Sequence, residues 1–134
     1  MDDLIAFVRA RLDEDERVAR AASTPNSLPP GSWAFTDMQI RDAAGCLVVK
    51  HTWPAEGEHI ARHDPARALL EVETKRRNLA SLEQAHGNAE TAAHEGHAGD
   101  SAMYFGMVSA LLDVAKANAQ VYAAPPDSRE EWKP

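Results

Sequence analysis

The chain has only one cysteine, Cys46, so it cannot form an internal disulfide. We therefore expect it to act in a reducing compartment, the cytoplasm. No apolar run approaches the roughly 20 residues that cross a bilayer, which argues against a membrane partner. The first residues after Met1 are acidic, and this disfavours a secretory signal.

Basic charge is also scarce. The sequence has 14 Lys and Arg residues against 21 Asp and Glu residues, which gives a formal net charge of -7. An acidic surface repels phosphate backbones, and the only basic run, Lys75–Arg77, is short. We therefore expect no nucleic-acid partner.

Familiar catalytic motifs are missing as well. The sequence contains no glycine-rich phosphate loop, no Gly-x-Ser-x-Gly elbow and no Cys-x-x-Cys pair. Cys46 has no histidine at a fixed local spacing, so we interpret it as a buried apolar residue rather than a nucleophile. These absences favour a non-enzymatic protein, but they do not decide whether the protein is an enzyme.

The hydrophobic pattern predicts an α+β fold in which three main helices pack with one β-hairpin. The predicted helices are about 3–22, 65–85 and 101–122, and the predicted hairpin is about 33–52. Residues 1–134 should form a single domain. Residues 86–100 contain no large apolar side chain, so we expect a mobile loop there, and 123–134 read as a C-terminal tail.

Two details of the hairpin can be predicted. The apolar alternation changes phase after Phe35, which suggests a β-bulge near Asp37. Asp42 and Gly45 occupy the first and fourth positions of a turn, and the apolar residues 46–49 then predict a heavily buried strand.

The last predicted helix, 101–122, has a wide apolar arc and one narrow polar stripe. Such a helix is either central in the fold or part of a subunit interface. We therefore expect a protein partner or self-association into a homo-oligomer, through 101–122 or through the hairpin edge.

His59, His63 and Asp64 are the candidate metal ligands. Two histidines four residues apart share one face of a helix, which is a metal-ligand spacing. His51, Cys46 or Asp64 would have to supply a third ligand to zinc or manganese. The alternative is that Asp64 caps a helix that begins at Pro65 and that no metal binds.

His63 and Asp64 also resemble the His-Asp pair of metal-dependent phosphohydrolases. Such enzymes use further His and Asp ligands from separate helices, and Asp113 is the candidate for that additional ligand. Asp113 lies on the polar stripe of its helix, which favours a solvent-facing position. His-rich segments can capture metal, but the simpler interpretation of the histidines in the predicted loop is that they are solvated. They are His86, His94 and His97.

Three segments in this order resemble one family. They are the opening MDDLIAFVRARLDEDE, the block 58–67 leading into 71–77, and the ending SREEWKP. Together they are similar to an uncharacterised family of small proteins from high-GC Gram-positive bacteria and their phages. The resemblance implies no activity, cofactor or catalytic residue, and a phage link would imply an accessory role.

Three hypotheses follow. The first is a small non-enzymatic protein-interaction module. The second is a metal-dependent hydrolase centred on His59, His63 and Asp64. The third is an adaptor or inhibitor whose acidic first helix, with Asp13, Glu14 and Glu16, meets a basic partner.

Overall fold

The computed structural model describes residues 1–23 and 30–122, and within them it has four helices and three antiparallel strands. The α+β class is confirmed, but the predicted count of three helices is one too few. The predicted tail, 123–134, lies outside the described residues. In chain order the elements are α1 (Asp2–Ala22), β1 (Trp33–Thr36), β2 (Gln39–Asp42), β3 (Leu47–Val49), α2 (Pro54–Arg62), α3 (Pro65–His94) and α4 (Ala98–Gln120).

Two compact units make up the chain. The first unit consists of Met1–Leu12 and Thr74–Pro134, and the second consists of Asp13–Glu73. The boundaries fall inside α1 and inside α3, so each of these two helices contributes residues to both units. That 1–134 forms a single domain stays a prediction.

The first unit is helical, and its buried side chains recur at intervals of three and four residues, as expected for amphipathic helices. An exposed ion pair joins α1 to α3, with Arg9 Nη2 3.1 Å from Glu83 Oε2. Such a pair contributes at most about 1 kcal/mol, so the buried side chains dominate the stability of this unit. The buried residues are Leu4, Ile5, Phe7, Val8 and Leu12 of α1, Leu79, Leu82, Ala85, Ala89 and Ala92 of α3, and Ser101, Ala115 and Ala119 of α4.

The predicted loop at 86–100 is wrong for all but residues 95–97, because α3 continues to His94 and α4 begins at Ala98. Alanine is the strongest helix former, and alanines continue the 3-4 repeat of the buried face beyond Leu82. Ala89 is fully buried and Ala92 is 6% exposed. Large side chains are therefore not needed to anchor this segment.

The turn between α3 and α4 is a Schellman motif. Gly96 has φ +78, its N–H donates to Ala93 O (3.3 Å), and the N–H of His97 donates to Ala92 O (2.9 Å). These bonds satisfy carbonyls that the helix end would otherwise leave unpaired. The two helices are thus joined by three residues, and α4 begins at Ala98 rather than at the predicted 101.

The sheet of the second unit has the order β1-β2-β3, with Trp33 opposite Asp42 and Thr36 opposite Gln39. Asp37 and Met38 connect β1 to β2, with φ +52 and +62. Positive φ at both central residues of a two-residue loop identifies a type I′ turn. The phase change near Asp37 is therefore a turn rather than the predicted bulge.

Residues 33–52 form three strands instead of a two-stranded hairpin. The predicted turn after Asp42 is present, and Asp42 Oδ1 accepts the N–H groups of Ala44 (3.0 Å) and Cys46 (2.8 Å). The following strand is not heavily buried, because Leu47 is 48% and Val48 38% exposed. Cys46 is exposed too, so its prediction as a buried residue is wrong. The reason is that α2 packs mainly on β1 and less on β2, so β3 lies at the edge of the sheet away from the helix that covers it.

Candidate functional site

The block that contains the candidate metal ligands lies where α2 ends and α3 begins. Trp53 is the N-cap of α2 and Pro54 is its first helical residue, a position that suits proline because the missing N–H has no partner there. The helix ends when the N–H of His63 donates to His59 O (3.1 Å) and Ile60 O (3.2 Å). Thus His59 lies within α2, and His63 is its C-cap.

The two histidine rings lie next to each other in a tilted arrangement. Their centroids are 4.3 Å apart, and their planes are inclined by 38°. The Nδ1 atom of His63 lies 2.9 Å from the carbonyl oxygen of His59, within hydrogen-bonding distance. In that arrangement His63 Nδ1 donates to the backbone, which leaves its Nε2 as the atom that could bind a ligand.

Asp64 caps α3 and ties it to the sheet. Its Oδ1 accepts the N–H of Arg67 (2.8 Å), three residues into the helix, as an N-cap does. Its Oδ2 accepts the backbone N–H of Trp33 (3.1 Å), the first residue of β1. Both carboxylate oxygens therefore have structural partners, and the sequence-based alternative, a helix cap followed by Pro65, describes what Asp64 does here.

The geometry gives the metal alternative no further ligand. Within 1–23 and 30–122, no group of three or more His, Cys, Asp and Glu side chains could hold a metal ion. His51 packs its ring edge-on to Trp53, with centroids 5.8 Å apart. Cys46 lies in the connection between β2 and β3, Asp113 lies on α4, and both residues are exposed. His59 and His63 are brought together, but the proposed third ligands are not.

The histidines between 86 and 97 lie on or next to α3. His86 Nδ1 is 3.7 Å from Glu90 Oε2, one helical turn away, and His97 Nδ1 is 3.5 Å from Glu95 Oε2. Each histidine thus lies close enough to a neighbouring acid to form an ion pair when its ring is protonated. An open polar cleft of about 220 Å³ is formed there by Asn88, Thr91, Ala92, Glu95, His97, Asp100 and Tyr104.

A different surface stands out on α4, where an apolar stripe faces solvent. We define the α4 stripe as Met103, Met107, Ala110, Val114 and Ala117 of α4 together with its C-cap Val121, all of which are exposed. Met103 is 54% exposed, Val114 40% and Val121 70%. The buried face of the same helix is formed by Ser101, Ala115 and Ala119. The wide apolar arc of the sequence is therefore only partly used inside the chain.

The spacing along the α4 stripe is 4-3-4-3-4. That repeat keeps all six side chains on one seam, as in the contact positions of a coiled coil. No member of the stripe is charged, and the neighbouring flank of Gly106, Asp113 and Gln120 carries one charge. This is the arrangement expected of a surface that packs against another helix rather than against water.

One known protein family matches the sequence over its entire length. A family described as "Family of unknown function (DUF6221)" matches residues 1–134. The chain belongs to this family. The predicted membership of an uncharacterised family is thereby confirmed. No curated protein and no solved structure matches the chain.

Membership of DUF6221 assigns no chemistry to any residue, so the candidate surfaces of this DUF6221 chain rest on its own geometry. Among the described residues, no helix is long and apolar enough to cross a membrane. Sequence reasoning identified the apolar arc of 101–122 but could not tell its buried half from its exposed half. The signal that separates them is size, because the buried face of α4 consists of small residues and the methionines lie outside it.

Proposed function

We propose that this DUF6221 protein is a small non-enzymatic interaction module that binds another polypeptide chain through the α4 stripe. The single observation that carries the proposal is the exposure of six regularly spaced apolar residues, five along α4 and the sixth at its C-cap. Apolar side chains at this spacing gain stability when a second helix covers them. The absence of charge along the stripe removes the desolvation penalty that a charged surface would impose.

The hairpin edge supplies a second surface for such a module. β3 lies at the edge of the sheet, and no strand of 1–23 or 30–122 pairs with the outer side of its backbone beside the exposed Leu47 and Val48. Edge strands pair readily with an added strand, but three residues make a short template. We therefore assign the main binding role to the α4 stripe.

The cytoplasm suits this proposal. The sole thiol, Cys46, is exposed, and an exposed thiol stays reduced only in a reducing compartment. In a bacterium or a phage-infected cell, a module of this size would act as an accessory protein that modifies the behaviour of its partner.

Photo-crosslinking in the cells that naturally express the protein tests the function. A photoreactive residue is placed at Met107, in the middle of the α4 stripe, and in a matched control at Ser109, on the polar side of the same helix. We expect a defined crosslinked species from position 107 and none from position 109. If neither position yields a crosslink, or both yield the same product, the stripe is not a binding surface.

A further inference from the structure

We infer that the partner of the α4 stripe is a second copy of this chain, paired in parallel through the same six residues. The inference rests on the proposed function and names the occupant of that surface. In a parallel pair each stripe residue meets its own counterpart, so Met107 meets Met107 and Val114 meets Val114. The β-branched valines at 114 and 121 then share one of the two contact positions of the repeat, the one that also holds Met107.

The flanks of the stripe are complementary to themselves in this orientation. In a parallel coiled coil, a residue just before one contact position faces the partner residue five places further along. Gly106 then faces Leu111 of the second copy, and Asp113 faces Asn118 of the second copy. The first pair places a residue without a side chain opposite a bulky, half-exposed one.

Gly106 has no evident reason to be glycine within one chain. A Cβ atom added at position 106 would have no atom of another described residue within 4 Å, so the space does not require glycine. Glycine also weakens the interior of a helix. Asn118 is similarly unexplained, because its Nδ2 is buried without a hydrogen-bond partner among the described residues. If the amide turned outward, that nitrogen could donate to Asp113 of the second copy.

Charge selects the parallel orientation over the antiparallel one. In an antiparallel pair centred between residues 110 and 114, the two flanks that carry Asp113 would face each other. Two carboxylates would then approach closely in a chain whose formal net charge is already -7. The parallel pair places the two Asp113 side chains on opposite sides of the seam.

The available surface indicates a weak dimer. The stripe spans residues 103–121, a strip about 27 Å long on a helix about 10 Å wide. One such strip offers less than the roughly 800 Å² per partner of a standard interface. We therefore expect a concentration-dependent equilibrium in the micromolar range rather than an obligate dimer.

Sedimentation equilibrium of the reduced, purified full-length chain tests the pairing. We expect the wild type to change from monomer to dimer between low micromolar and millimolar concentration. Met107→Glu should raise the dimer dissociation constant by about tenfold or more, since it places two charges in the seam. Ser109→Glu adds the same charge outside the stripe and should leave the constant unchanged. Gly106→Leu should weaken the dimer, whereas Gly106→Ala should not unfold the monomer.

Disulfide trapping tests the orientation. In a Cys46→Ser background, Val114→Cys should form a disulfide-linked dimer on mild oxidation, because a parallel pair brings the two positions within bonding distance. Ser109→Cys is the control and should not. A monomer at millimolar concentration, or a dimer that Met107→Glu leaves intact, overturns the inference. If the purified chain stays monomeric but position 107 still crosslinks to a different protein in cells, this inference fails and the proposed function stands.

Discussion

Gly57 of α2 lies directly against the ring of Phe35 in β1. A Cβ atom added at Gly57 would be 2.3 Å from Phe35 Cδ2 and 2.9 Å from Thr52 Cγ2, both closer than real contacts allow. The helix packs on β1 because position 57 has no side chain. Gly57 therefore allows α2, which carries His59, to pack closely on the sheet.

Gly57→Ala should lower the free energy of unfolding by about 1–3 kcal/mol, the usual cost of forcing an extra carbon into a packed site. Urea denaturation followed by far-UV circular dichroism measures it. Gly87→Ala is the matched control, because position 87 is helical and has open space around it. That substitution should instead stabilise the chain by up to about 1 kcal/mol. Equal effects of the two substitutions would contradict the close contact with Phe35.

Asp64→Ala should destabilise the protein by about 1–2 kcal/mol, the cost of losing a helix N-cap. The backbone N–H of Trp33 also loses its acceptor, so its hydrogen exchange should accelerate. Asp64→Asn keeps one oxygen and should lose less. The exposed Asp100, in the first turn of α4, provides a control: Asp100→Ala should change stability by only a few tenths of a kcal/mol. Unchanged exchange at Trp33 in the alanine variant would contradict the assigned bond.

Metal analysis should separate the two interpretations of the histidine pair. We expect purified, untagged protein and the His59→Ala/His63→Ala double variant to contain the same zinc and manganese, well below one ion per chain. The reason is that His63 Nδ1 and both oxygens of Asp64 already have backbone partners. One ion per chain, lost in the double variant, would instead support the hydrolase hypothesis and make phosphoesters the first substrates to test.

Ala89→Leu tests whether the second half of α3 is packed. Ala89 is fully buried, so the larger side chain should cost about 1–3 kcal/mol through overpacking. Ala93→Leu makes the same change one turn later at an exposed position, and it should alter stability by less than about 0.5 kcal/mol. Thermal unfolding by calorimetry compares the two variants. If both were neutral, residues 86–94 would not contribute to the buried face.

The parts of the fold that could be predicted are those with strong local signals. The repeat of Leu4, Val8 and Leu12 located α1 at 3–22, close to the observed Asp2–Ala22. The Asp64-Pro65 pair located the start of α3, since a capping acid and a proline at the first helical position act within one turn.

The parts that failed depend on size or on tertiary position. The search for large apolar residues ended α3 at 85, whereas Ala85, Ala89 and Ala92 bury their small side chains on the same face. The apolar composition of 46–49 does not reveal that β3 is an edge strand, because edge position is set by sheet order. The fourth helix, α2, is absent from the sequence prediction because it has only nine residues and no long apolar repeat.

The candidate site was predicted in part. The four-residue spacing of His59 and His63 does bring their rings together, because α2 is helical up to Arg62. A third ligand depends on distant elements, and no local pattern could supply it. For 101–122, periodicity predicted the wide arc, while the division into two faces depends on what the rest of the first unit covers.

The type I′ turn at Asp37 and Met38 is a position where substitution could raise the stability of the chain. Two L-residues hold φ +52 and +62, where asparagine and glycine are the preferred pair. Natural chains are rarely at their stability optimum, and turn positions with positive φ are among the simplest to optimise. The double substitution Asp37→Asn and Met38→Gly would therefore be a first step in using this small chain as a scaffold for displayed peptides or loops. These positions lie far along the chain from the α4 stripe.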